Sequence, residues 1–146
     1  MLKILNREDK QNCMELLEAF FLESPYNTMT YSEDKVSDAL ENAFDNKDMI
    51  ILGYVKDNEV VGIIIGGTIS CMFSEDLIAS ELVWFMKKDH RNGLSSVKLH
   101  KAFEYWAKEV KKVSGVVMAH LNDDKVSKYY KRQGYAKREE AYYKEF

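Results

Sequence analysis

Apolar residues recur at helical spacing over two stretches near the start of the chain, crowd into β-rich runs through its middle, then return to helical spacing before a last apolar run. Leu2–Leu5 reads as a short strand, and Asn6 caps the helix after it, with Glu8 and Asp9 in the first turn. Cys13, Leu16, Leu17, Phe20 and Phe21 give that helix one buried face, and Ser24-Pro25 ends it. A loop with two tyrosines, Tyr26–Tyr31, leads to Ser32, which caps a second helix carrying Val36, Ala39, Leu40, Ala43 and Phe44. Met49–Val55, a turn at Lys56-Asp57-Asn58, and Glu59–Ile65 predict a hairpin, with Gly66-Gly67 marking a bulge or a close backbone approach. Thr68–Ala79 predicts either a strand extension or a lid.

Glu81–Met86 is the next strand. After a basic turn, a helix turns Val97, Leu99, Ala102, Phe103, Trp106, Ala107 and Val110 inward and is expected to stop near Gly115. Val116–Leu121 is a continuous apolar run. It predicts a strand buried on both faces and parallel to Glu81–Met86 through a right-handed crossover. Asn122 or Asp123 caps a short helix reaching Gln133, which Gly134 closes, and Tyr135–Arg138 with Ala141–Phe146 predict a final antiparallel pair. The expected order is β, α, α, β, β, β, α, β, α, β, β.

Composition narrows the reading. A length of 146 residues with 46% apolar and 31% charged positions predicts one globular domain, 1–146. A net charge of −3 argues against non-specific nucleic-acid binding, although Lys87, Lys88, His90, Arg91 and Lys98 form a local basic patch. Cys13 and Cys71 lack metal spacing, no ligand cluster suggests a metal, and reduced thiols predict a cytoplasmic protein. No apolar run has membrane-spanning length, and MLKILNREDK lacks a signal-peptide core, so no membrane partner is expected.

The stretch Glu81–Leu99 carries the strongest chemical signal. Strand, glycine-containing basic turn and helix succeed one another, which places the backbone N–H groups of Arg91, Asn92, Gly93, Leu94, Ser95 and Ser96 at a helix N-terminus suited to phosphate. Neither a Gly-x-x-x-x-Gly-Lys-Ser/Thr loop nor a three-glycine dinucleotide fingerprint occurs. Arg91-Asn92-Gly93-Leu94-Ser95-Ser96 resembles the pyrophosphate loop of the GNAT superfamily of N-acetyltransferases, usually Gln/Arg-x-x-Gly-x-Gly/Ala. The glycine stands at the third position and serines at the fifth and sixth, close to the Arg-Gly-Gly-x-Ala-Ala variant of phage-encoded members. A second landmark, Asp123–Tyr135, resembles the family's Asn-x-x-Ala-x-x-x-Tyr-x-x-x-Gly-Phe/Tyr segment, with Tyr130 at the tyrosine, Val126 at the alanine and Asp123 at the asparagine.

The resemblance spans nearly the whole chain. It implies an α/β (α+β) GNAT fold: a mixed, mostly antiparallel sheet whose parallel fourth and fifth strands splay apart, flanked by about four helices. It further implies acetyl-CoA as cosubstrate, with Trp84, Phe85 and Met86 along pantetheine, Arg91–Ser96 on the pyrophosphate and Asp123 in the cofactor site. The chemistry implied is direct attack of a primary amine on the thioester in a ternary complex, without a covalent enzyme intermediate. Tyr130 is the candidate general acid, since a phenol is protonated at neutral pH. Glu81 is the candidate base if partial burial raises its pKa, with His120 or a water chain as rivals. The Tyr26–Tyr31 loop, Met72 and Phe73 fall on the acceptor side. Small amines, protein amines and modified nucleobases are all open as acceptors, nucleic acid entering only as substrate, and a homodimer is left open. A phage origin would place the protein in the host cytoplasm. The alternative is a catalytically inactive GNAT-fold module that binds CoA.

Overall fold

The computed structural model describes residues 1–91 and 93–146. Its five strands form one sheet in the order β1 (Leu2–Ile4), β2 (Met49–Lys56), β3 (Glu59–Cys71), β4 (Ser74–Met86) and β5 (Gly115–Val117). The first four pair antiparallel and β5 runs parallel to β4. Helices α1 (Lys10–Glu23) and α2 (Glu33–Asp45) lie between β1 and β2. The helix α3 (Ser95–Tyr105) joins β4 to β5, and α4 (Asp124–Arg132) follows β5. This is the mixed, mostly antiparallel α/β architecture expected.

Local chemistry accounts for most boundaries. Asn6 and Asp9 form a reciprocal capping box around a 3-10 turn that feeds α1. Asp57 and Asn58, both at positive φ, make the two-residue turn that twists β2 onto β3. Leu5, Cys13, Leu16, Leu40, Ile51, Ile63, Ile65 and Phe85 build the core under α1 and α2. Ile50, Leu52, Val61, Ile64, Ala79, Met86, Leu99 and Phe103 build the one under α3. The sheet is therefore buried on both faces through its centre.

Of the two readings of Thr68–Ala79, strand extension is the one found: β3 and β4 continue as one long hairpin whose tip, Met72-Phe73, stands in solvent. Three expectations are corrected. Strand β5 stops at Val117, and Val117 is exposed, so the run to Leu121 is not a strand buried on both faces. Nor do Tyr135–Arg138 and Ala141–Phe146 pair. Residues 135–146 form no strand, and Tyr142, Tyr143 and Phe146 are exposed between charged neighbours. The helix after the basic turn also ends differently. Trp106–Val110 widens to π-type bonding, and Lys112 at φ 57, not Gly115, takes the left-handed position. Val110 consequently points to solvent.

Candidate active site

Strand β4 is built around a bulge. Ile65 pairs with Val83 and Gly66 with Glu81, so Leu82 is an extra residue with no partner on β3. The bulge shifts the pleat by one: Ala79 and Trp84 both pack on the α3 side, although five residues apart. Glu81, two residues from Ala79, shares that side. The parallel pairing with β5 covers only Ile78, Ala79 and Ser80, and Ser80 opposite Val117 is its last pair. From the bulge onward β4 and β5 diverge. The residues 118–121 that leave β5 do not rejoin β4.

Glu81 and Tyr130 meet in this divergence. The Ala119 N–H donates to Glu81 Oε2 at 3.1 Å, and the Tyr130 O–H donates to the Ala119 carbonyl at 2.7 Å. Burial pushes the Glu81 carboxyl up to about 7, against the opposing effect of the Ala119 N–H. Burial, together with the Glu81, Tyr129 and Asp123 charges, holds the Tyr130 phenol well above its ordinary value, so it stays protonated. The site thus pairs a carboxylate that titrates near neutrality with a phenol that keeps its proton. His120 is exposed, and its Nδ1 accepts the Asp123 N–H at 3.0 Å.

Trp84 lines the same side. Its ring stacks on Tyr130 at 6.0 Å and lies 5.4 Å from His100. Its Nε1 is a buried donor without a partner among the described residues. Phe85 and Met86 turn away: Phe85 packs edge-on against Phe20 of α1, and Met86 is buried in the α3 core. What these two can offer a ligand is backbone. The Asp123 carboxylate is engaged as the N-cap of α4, accepting from Lys125 and Val126.

At the start of α3, Ser95 and Ser96 are half-buried, and Gly93 and Leu94 are exposed. Among the described residues no side chain caps this helix and no acid stands in its first turn, which leaves its N–H groups and positive dipole end for an anion. Arg91 is held otherwise: Nε donates to the Met86 carbonyl at 2.7 Å, Nη2 pairs with Glu23 at 2.6 Å, and the guanidinium lies over Phe85. Its side chain braces the turn to α1. Asn92 lies outside the described residues.

These features fit a CoA thioester: an uncapped helix start for a diphosphate, a splayed strand pair with an orphan indole donor, and a buried carboxyl and phenol beyond it. Sequence reasoning missed the Ala119 bridge and the brace from Glu23. The bulge itself carried a signal in Gly66-Gly67, since Gly66 pairs with Glu81 where the register shifts.

The sequence matches no protein-family model and no curated protein. Solved structures do match. The chain resembles a ribosomal-protein-alanine N-acetyltransferase from Brucella melitensis biovar Abortus 2308 with a TM-score of 0.73 at 17% identity, covering 100% of this chain and 98% of that one. It resembles the apo aminoglycoside 6'-N-acetyltransferase AAC(6')-IG from Acinetobacter haemolyticus with a TM-score of 0.74 at 14% identity, covering 100% and 97%. It also resembles AAC(6')-Iy in complex with a bisubstrate analogue, CoA-S-monomethyl-acetylneamine, with a TM-score of 0.80 at 11% identity, covering 100% and 97%. Identities this low establish the GNAT fold and nothing finer.

Proposed function

We propose that this chain is an acetyl-CoA-dependent N-acetyltransferase that acts on a primary amine by direct transfer. The observation that carries the reading is the Glu81–Ala119–Tyr130 bridge in the opening between β4 and β5. Bound there, acetyl-CoA would supply an activated acetyl thioester. The N–H groups of Ser95 and Ser96 hold its diphosphate, and the Trp84 indole N–H has a polar atom to meet.

Glu81, ionised above about pH 7, takes the proton of the attacking amine on Oε1 or Oε2. Tyr130 turns its O–H from the Ala119 carbonyl to the departing sulfur. No described helix is long and apolar enough to cross a membrane; the free cysteines support a cytoplasmic location, and the loop variant at Arg91 supports a phage origin.

The test is thiol release from acetyl-CoA across a panel led by an aminoglycoside and an alanine peptide, acceptors suggested by the structures it resembles. Amine-dependent release with a product heavier by one acetyl group is expected. Binding of acetyl-CoA without release for any amine would make the chain a CoA-binding module instead.

A further inference from the structure

A buried polar chain links α4 to α3, and the chemistry above does not use it. His100 on α3 is completely buried. Its Nδ1 lies 2.7 Å from the Tyr129 hydroxyl and its Nε2 3.0 Å from the Tyr135 hydroxyl. Tyr135 in turn donates its O–H to Glu104 Oε2 at 2.8 Å. That last bond fixes the others. With its proton given to Glu104, the Tyr135 oxygen accepts from His100, so Nε2 carries the imidazole proton and Nδ1 accepts from Tyr129.

The same two tyrosines flank the candidate acid. Tyr129 precedes Tyr130 in α4. Tyr135 is folded back by Gly134 at φ 90, so that its N–H donates to the Tyr130 carbonyl at 3.0 Å and the Gly134 N–H to the Lys131 carbonyl at 3.1 Å. This is a helix stop with both of its characteristic bonds. Tyr130 is therefore gripped through its chain neighbour on one side and its own carbonyl on the other. Both grips end on one imidazole of α3, the helix whose start would seat the diphosphate.

We infer that His100 is a positioning residue for Tyr130: by tying Tyr129 and Tyr135 to α3, it fixes the Tyr130 hydroxyl over Ala119 in the β4–β5 opening. The inference rests on the reading of Tyr130 as the acid. The groups facing the imidazole are Glu104 and Lys101 from α3 and Tyr129, Tyr130 and Tyr135 from α4 and its stop; β4 contributes Trp84, which does not titrate. Burial lowers the pKa of His100, which keeps the ring neutral and the bond directions as assigned.

Three variants test it. His100→Leu removes both bonds at similar volume, Tyr129→Phe removes one hydroxyl, and His100→Gln keeps an amide able to accept from Tyr129 and donate to Tyr135. In the thiol-release assay, His100→Leu and Tyr129→Phe are expected to lower kcat roughly 10- to 100-fold, as misplacement of a reacting group does, while KM for acetyl-CoA stays within about twofold. His100→Gln is expected to regain most of the loss. A second readout needs no turnover: imidazole 15N shifts of the wild-type protein should show the Nε2–H tautomer, and exchange of the Tyr135 amide should quicken in His100→Leu and Tyr129→Phe but not in His100→Gln. An Nδ1–H tautomer, an unchanged kcat in an active enzyme, or equal exchange in all three variants would overturn the inference. Absent thiol release in the wild type with the expected shifts and exchange would instead overturn the enzymatic reading and leave the positioning intact.

Discussion

Glu81 and Tyr130 hold opposite ends of one residue: the carboxylate accepts the Ala119 N–H, and the phenol donates to the Ala119 carbonyl. A candidate base on a strand and a candidate acid on a helix, 49 positions apart in the sequence, are thereby set against the same short segment leaving β5. Because neither group is bound to the other, one can gain a proton while the other loses its own. Their environments push them to different ends of the scale, which is the arrangement acid–base chemistry needs near neutral pH.

Glu81→Gln should abolish the rise of kcat/KM through about pH 7, since the ionised carboxylate is present only above the value near 7 to which burial raises it. The same substitution should stabilise the fold at pH 8. A carboxyl raised in the native state favours protonation there. Its penalty is absent below the ordinary carboxylate range, grows as pH climbs, and is complete above about 7. A gain of about 1–3 kcal/mol at pH 8, shrinking to nothing near pH 4, is expected from melting curves of the two proteins.

Tyr130→Phe leaves the Ala119 carbonyl without its donor and removes the candidate acid. A fall in kcat of about 10²-fold or more is expected, with a stability loss of only about 1 kcal/mol. Steady-state kinetics with a thiol-leaving acyl donor separates these effects. If the variant loses its activity only in proportion to folded protein, Tyr130 merely packs.

Glu23→Gln frees one arm of Arg91, which is then held by the Met86 carbonyl and Phe85 alone. Both partners of this pair are about one-third exposed, so the stability change should stay below about 1 kcal/mol. The expected effect is kinetic: KM for acetyl-CoA rises several-fold with kcat unchanged, because the brace sets the turn before α3 and touches no reacting atom. An unaltered KM would show that the turn keeps its shape without the tie to α1.

Gly66→Ala tests the bulge. A Cβ there would stand 2.5 Å from the Phe103 ring and 2.7 Å from the Ser80 carbonyl, the last β4 residue paired with β5. One methyl has no room, and a loss of about 1–3 kcal/mol is expected from chemical denaturation. A neutral outcome would mean that Phe103 can retreat from the sheet.

The spacing of Leu16, Leu40 and Phe103 made the inward faces of three helices readable, because burial on a face repeats with the period of the element that carries it. Asn6, Ser32, Asp57-Asn58 and Gly134 were equally legible, since each stabilises its turn through its own backbone or side chain. The residues 116–121 misled for a physical reason. A strand that leaves its partner has the same apolar composition as one that stays. The tail at 135–146 misled likewise, its aromatic residues suiting a strand but finding no partner edge. The loop landmark pointed to Arg91 as a phosphate ligand, yet Glu23, 68 positions away, takes its guanidinium, and sequence spacing carries no trace of that pairing.

Acetyl transfer by this chain requires that the opening between β4 and β5 hold a CoA thioester. Equilibrium dialysis of radiolabelled acetyl-CoA against the full chain measures this without reliance on an acceptor. One saturable site per chain is predicted, with a Kd in the range of about 1 μM to 1 mM in which enzymes meet their substrates, and competition by unlabelled CoA. No retention of label at millimolar concentration would contradict the account.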